Sequence, residues 1–346
     1  MSKHVFFVAA ASEDGGIHTL SFDAADKSIT SLAFDPLPGC GYLILSPDRT
    51  RLYAAVSRSA KYENDGELAA FAVDADGRLT YLNSLPSGGL SCCHLALAGN
   101  FVYTANYTGG TAAEFALAAD GSLASRTQLL EHKGQSVNKA RQEMAHPHYV
   151  SITPDGNWLA VVDLGCDGTY FYRFDPARGI DPASASLSSA ATPGDGPRHL
   201  VFNAAGNIAY VANELANSVT ACTYSSGALK PFQTLPTLPA DFTTANTVAA
   251  IRLSHDGKLL YCSNRGHDSI ALYRVASDGS LEEAGHLPAI GQGPRDFIAL
   301  DKSGLIAVGN EGSNTLDLLR HNPDGSWQKV ASRSIMSRPI CILPWL

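Results

Sequence analysis

Charged side chains are scarce in this chain: Lys, Arg, Asp and Glu make up 17% of its 346 residues, and the formal net charge is −8. With no basic run, this balance argues against nucleic acid or an anionic membrane surface as the main partner. Any site for an anion has to be a local cluster of arginines within an acidic protein. No stretch approaches the ~18 consecutive apolar residues of a membrane span. The apolar stretch at residues 5–11 sits at the short limit for the core of a signal peptide and reads as a first β-strand. The seven cysteines (Cys40, Cys92, Cys93, Cys166, Cys222, Cys262 and Cys341) are odd in number and lack the spacing of a disulfide framework. Cys92 and Cys93 are adjacent and so are not a CxxC motif, and no Cys/His set has zinc-finger spacing. Reduced, mostly buried thiols in a cytoplasmic protein are expected. Helix signals are weak throughout.

What the chain has instead is a unit repeated about seven times. HYVSITPDGNWLAVVDLG from His148, HLVFNAAGNIAYVANEL from His199 and IRLSHDGKLLYCSNRG from Ile251 share one plan. A short apolar strand, a polar turn and a second apolar strand lead to Asn or Asp. A further strand and another Gly-rich turn follow. A period of roughly 45 to 58 residues with several short strands per unit predicts an all-β, seven-bladed β-propeller of four-stranded antiparallel blades. Residues 1–346 are read as one propeller domain, because a closed ring absorbs as many repeats as it needs. The first unit starts on its second-strand pattern and ends near Ile29. SRPICILPWL at the C-terminus resembles the unit openings GPRHLVF and GPRDFIAL, so residues 340–343 are expected to supply the missing inner strand of the first blade. Long connections are expected at residues 131–147 and 231–247, the first carrying Lys133, Lys139 and Arg141.

In an antiparallel unit the start of the first strand and the end of the second lie at one edge. Strand starts place His94, His146, His148, Arg198, His199, Arg295 and Asp296 there. Second-strand ends add Asn106, Tyr107, Asp163, Asn213, Glu214, Asn264, Arg265, Asn310 and Glu311. The opposite edge carries the SPDR, TPDG, SHDG and DKSG turns. Each candidate has a plainer reading. The recurrent Asn residues suit hydrogen bonds to their own loops, the arginines suit structural ion pairs with Glu214 and Glu311, and His148 suits a satisfied core histidine. Taken together the set suits hydrolysis of a carbonyl ester: Glu214 or His148 as base, and Arg198, Arg265 or Arg295 for the oxyanion or an anionic substrate. Without a GxSxG nucleophile motif, direct attack by water is preferred to an acyl-enzyme. No HExxH or comparable spacing supports a metal.

NKARQEMAHPHYV, VVDLGCDGTYFYRFD, GDGPRHLVFNAAGNIAYVANEL, LYCSNRGHDSIALYRV and GPRDFIALDKSG resemble the seven-bladed-propeller lactonase family over almost the whole chain. That family includes the propeller type of 6-phosphogluconolactonase and the carboxy-muconate lactonising enzymes. The resemblance implies a lactone bound at the central-channel mouth without a required metal or cofactor. It implies a catalytic group of His148, Glu214, Arg198 and Arg265. It also places Arg141, Gln142 and Arg295 near the site; the strand-edge positions add His94, His146, His199, Asp163, Asn213, Asn310 and Glu311 as further substrate-binding candidates. The chain departs from the family pattern at Val56-Ser57, at Ala250 and at Gly309-Asn310-Glu311. Hydrolysis of 6-phosphoglucono-δ-lactone, in a pentose-phosphate type of route, is the first expectation. The alternatives are a muconate cycloisomerase, a lactonase for an unphosphorylated aldono- or aldarolactone, and a non-catalytic propeller that docks a protein. A monomer or weak homodimer acting on a small molecule is expected.

Overall fold

A computed structural model describes residues 3–58, 61–63, 65–288, 291–300, 304–322, 326–335 and 337–345. Their strands form seven four-stranded antiparallel sheets arranged as the blades of a ring. The inner strands are Cys40–Leu45, Cys92–Ala98, Pro147–Ile152, Pro197–Phe202, Thr247–Leu253, Pro294–Ala299 and Pro339–Pro344. Three more strands follow outward in each blade, and no helix occurs among the described residues.

Burial explains the repeat. Second strands such as Arg51–Val56, Trp158–Asp163 and Ile208–Asn213 are buried almost throughout, because both faces pack on neighbouring blades. They therefore read as unbroken apolar runs. The outermost strands, such as Ala228–Pro236, are half exposed and alternate. Turn chemistry repeats too. Asp167, Asn217, Asp268 and Asn314 occupy one position in successive loops, with φ of 51°, 53°, 54° and 54°. Asn and Asp tolerate that left-handed conformation best after Gly.

The closing strand pairs antiparallel with Lys3–Ala10, placing Val8 opposite Ile342 and Ala9 opposite Cys341. Trp345 beyond it is buried against Phe7. Two expectations need correction. The outer strand of the first blade runs Ser28–Pro36, well past Ile29. The first six residues of the second expected long connection belong to the outer strand Ala228–Pro236, leaving residues 237–246 as the link. Its Leu229, Gln233 and Leu235 pack or pair as blade residues, and Gln233 Nε2 donates to Leu281 O at 2.8 Å. Asp301, Lys302 and Ser303 of the DKSG turn lie outside the described residues.

Candidate active site at the channel mouth

The inner strands share an irregularity that builds the site. In the six intact repeats the register to the second strand slips by one residue near the start of the inner strand: Cys92 pairs with Asn106 but His94 with Ala105, and Pro147 pairs with Asp163 but Tyr149 with Val162. The skipped residues are Gly41, Cys93, His148, Arg198, Ala249-Ala250 and Arg295, and Ile340 is skipped in the closing strand. A bulge leaves one residue out of the ladder and re-aims its side chain. A second ring of equivalent positions follows the second strands: Ser57, Tyr107, Leu164, Glu214 and Glu311. Each donates its backbone N–H to the residue just before an inner strand, as Glu214 does to Gly196 O at 2.7 Å and Glu311 to Gly293 O at 2.9 Å. A cavity of about 350 Å³ lies where the two rings meet. Ser57, Ser91, Cys93, Tyr107, Arg141, His148, Glu214, Thr247, Arg265 and Arg295 line it.

Glu214 is its electrostatic centre. Its Oε1 lies 2.7 Å from Arg141 Nη2 and 3.2 Å from Arg265 Nη2, and its Oε2 lies 3.0 Å from Arg198 Nε. Burial pushes this carboxyl up, but Arg265 and Arg198, with His148 and Arg141, outweigh it and hold it well below the usual carboxylate range. Arg198 also donates to Ala249 O at 2.8 Å and contacts His199 Nε2 at 3.2 Å, so its orientation is fixed. Burial, reinforced by Arg198, holds His148 neutral, well below the ordinary histidine value. Its Nδ1 lies 3.9 Å from Cys93 Sγ. The Cys93 thiol is itself pushed up to about 12 by burial and keeps its proton. Glu311 meets Arg338 Nη2 at 3.0 Å, Arg295 Nη1 at 3.4 Å and Arg265 Nη1 at 3.7 Å. Five arginines thus surround two carboxylates.

Several expected substrate contacts lie elsewhere. Asn213 and Asn310 are fully buried and tie their own blades together, Asn213 through Ser218 and Thr220, Asn310 through Asp317. Asn106 and Asn264 donate to Ser87 O and Thr237 O, in the links that enter their blades, and Asn106 also to Thr111. The loop-pinning reading fits this recurrent side chain, which is paired with the start of the inner strand and faces into the blade. His94 sits below the floor between the rings of Tyr42 and Tyr149, at 4.0 and 4.2 Å. His199 and Asp296 border a separate water-sized void of about 40 Å³ with Arg198 and Arg295, and Asp296 pairs with Arg252 at 2.7 Å. His146 stacks on Tyr107 and turns its Nε2 to Glu143.

Asp163 and Gln142 shape the site from behind. Asp163 Oδ2 lies 2.7 Å from His132 Nδ1, with both side chains fully buried, and its Oδ1 accepts the backbone N–H of His146 (2.8 Å) and Cys166 (3.0 Å). It therefore clamps both ends of the loop that carries Arg141. Gln142 donates to Asp167 Oδ1 at 2.7 Å, and Asp167 also accepts from Gly194 and Gly196, just before Arg198. Asp163→Ala strands three buried or part-buried donors and is expected to cost about 3–9 kcal/mol in urea unfolding, at roughly 1–3 kcal/mol for each lost partner. A loss under about 1 kcal/mol would remove the clamp. His132, Asp167 and Arg338 have no signal in local sequence. Cys93 and Ser57 had one, since Cys93 stands before His94 as Arg198 stands before His199.

Fold and site together define a propeller hydrolase with its chemistry at one mouth of the channel. The family described as lactonase, 7-bladed β-propeller, matches residues 5–344, and the chain belongs to it. It is an enzyme that hydrolyses lactones. A 6-phosphogluconolactonase of Bacillus subtilis (strain 168) is 33% identical over 352 residues, covering 99% of this chain and 98% of its own. The Pseudomonas aeruginosa periplasmic gluconolactonase superposes with a TM-score of 0.90 at 27% identity, over 99% of each chain. A protein from Lactobacillus plantarum does so with a TM-score of 0.89 at 31% identity, again over 99% of each chain.

Proposed function

We propose that this enzyme hydrolyses 6-phosphoglucono-δ-lactone to 6-phosphogluconate. The observation that carries the reading is the excess of arginine at the mouth: Arg141, Arg198, Arg265, Arg295 and Arg338 against Glu214 and Glu311, in a protein of net charge −8. A phosphorylated lactone supplies the anion such a cluster calls for. The name of the Bacillus subtilis relative supports the same substrate. The free thiols support a reducing compartment such as the cytoplasm.

In this mechanism His148 takes a proton from water as the water oxygen attacks C1. Arg198 and Arg265 stabilise the oxyanion that forms. When the ring C–O bond breaks, the leaving alkoxide takes the proton back from His148, giving the hydroxy acid. Glu214 holds the two arginines rather than acting as base. Both its oxygens are occupied, and three guanidinium groups leave the carboxylate little affinity for a proton. Neutral His148, whose Nδ1 lies 3.9 Å from the Cys93 thiol, is the better acceptor.

Proton release from 6-phosphoglucono-δ-lactone and from glucono-δ-lactone, each against its spontaneous rate, tests the substrate. A preference for the unphosphorylated lactone would move the reading to that class, which the carboxylate of Glu311 among the outer arginines favours. His148→Gln is expected to lower kcat roughly 10²–10⁴-fold. Because the His148 pKa is depressed, the base stays unprotonated down to well below pH 6.5. The wild-type kcat is therefore expected to hold level from pH 8 to 6.5 and fall only in more acid solution. An acid limb near or above 6.5, or wild-type turnover in the variant, excludes His148.

A further inference from the structure

Two carboxylates in equivalent loop positions are held very differently. Glu214 is gripped by contacts of 2.7, 3.0 and 3.2 Å, and its side chain is 5% exposed. Glu311, in the same position two blades on, has one contact of 3.0 Å, to the exposed Arg338, and looser ones of 3.4 and 3.7 Å to Arg295 and Arg265. Its side chain and that of Arg295 are partly open to solvent, at 15% and 23%. Arg295 and Arg265 also line the mouth cavity. Three guanidinium groups with unspent donors, gathered loosely on one carboxylate at the solvent edge, form a site for an anion with more acceptors than a carboxylate has.

We propose that Glu311 is a displaceable counter-anion: it occupies, in the free enzyme, the subsite that Arg265, Arg295 and Arg338 form for the phosphate of the substrate. This rests on the reading of a phosphorylated lactone given above. Without a bound anion the carboxylate keeps three like charges from repelling one another and holds Arg338 over the mouth. An entering phosphate offers more oxygens and more charge, so it takes the arginines, and the Glu311 carboxylate turns to solvent. Hydrolysis then adds a carboxylate to the bound molecule, and return of Glu311 to the arginines assists its release. Arg338 comes from the segment that leads into the closing strand, immediately before Pro339, so the residue that completes the subsite arrives only when the ring closes. Glu311 therefore sets how strongly the mouth discriminates a phosphorylated from an unphosphorylated lactone, at a cost in affinity for the former.

The test is calorimetric titration of wild type, Glu311→Gln and Arg338→Gln with inorganic phosphate, 6-phosphogluconate and gluconate, beside the kcat/KM ratio for the two lactones. Glu311→Gln is expected to bind phosphate and 6-phosphogluconate roughly tenfold more tightly than wild type, with a smaller change for gluconate, and to raise the kcat/KM ratio in favour of the phosphorylated lactone. Arg338→Gln, at an exposed side chain whose loss leaves the core intact, is expected to weaken phosphate binding severalfold. Unchanged or weaker phosphate binding in Glu311→Gln overturns the proposal, as does an equal gain for gluconate. If Glu311→Gln fails to fold, unaltered phosphate binding in Arg338→Gln overturns it by itself. A wild type inactive on the phosphorylated lactone, with phosphate still bound more tightly by Glu311→Gln, refutes the substrate reading and leaves the anion subsite standing.

Discussion

A chain cut after Arg338 is expected not to hold its fold at ambient temperature. The lost segment contains the inner strand of the first blade, and with it the buried side chains of Cys341, Ile342 and Trp345. Fully burying side chains of this size stabilises by about 1.5–3 kcal/mol each, so these three alone approach the ~5–15 kcal/mol that holds a typical domain together. Two further losses add to this. Asp296 Oδ2 loses the Ile342 N–H that it accepts at 2.9 Å, although burial already pushes that carboxyl up. Lys3–Ala10 becomes an exposed, apolar sheet edge, which templates aggregation. Circular dichroism and thermal unfolding of the truncated chain check this. An unchanged Tm would mean that the ring does not depend on its closing strand.

Glu214→Gln is expected to be the most damaging single substitution at the mouth. The amide keeps the shape but removes the charge that offsets Arg198, whose side chain is 3% exposed, together with Arg265 and Arg141. Breaking a buried ion pair from one side costs about 3–5 kcal/mol, because the partner charge stays buried. The sign of the pH dependence follows from the direction of the shift. The folded-state pKa of Glu214 is depressed below the unfolded value of about 4.3, so its contribution is fully present above that value. The contribution is lost as pH falls toward the folded-state pKa. Urea unfolding at pH 7 and again near pH 3.5 is therefore expected to separate wild type from the variant most at pH 7, with the gap narrowing in acid. Turnover falls as well, since Arg198 and Arg265 lose the group that aligns them. Equal stability at both pH values would mean that the three arginines find other partners.

The repeat was legible because each blade must bury its second strand between two neighbours. That requirement writes the same apolar run into every blade, and an Asn or Asp at the end of the second strand in five of the seven. Ring closure was legible for the same reason, as a missing strand at one end and a spare one at the other. Strand geometry placed His148, Arg198, Glu214 and Arg265 at one mouth among other candidates, and the family resemblance singled these four out. What local pattern could not decide was which of the neighbouring polar residues face the cavity. That Cys93 rather than His94 lines it depends on a bulge in the inner strand, and the alternation of a strand does not reveal a skipped residue. Asn213 and Asn310 looked equivalent to Glu214 and Glu311 by one-residue adjacency, yet they turn into the blade to satisfy Ser218, Thr220 and Asp317.

The pairings that give the site its electrostatics were further out of reach. Arg141 meets Glu214 across 73 residues and His132 meets Asp163 across 31. Arg338 reaches Glu311 because the end of the chain returns to the first blade, next to the seventh. By itself the sequence determined the ring, its closure and the residue types gathered at one mouth, since burial and turn geometry act within a single repeat. Only the tertiary structure decided which charges neutralise one another and which are left for a substrate. Apart from Arg198–Glu214 and Arg295–Glu311, those contacts join different blades or the links between them, where no periodicity along the chain records who meets whom.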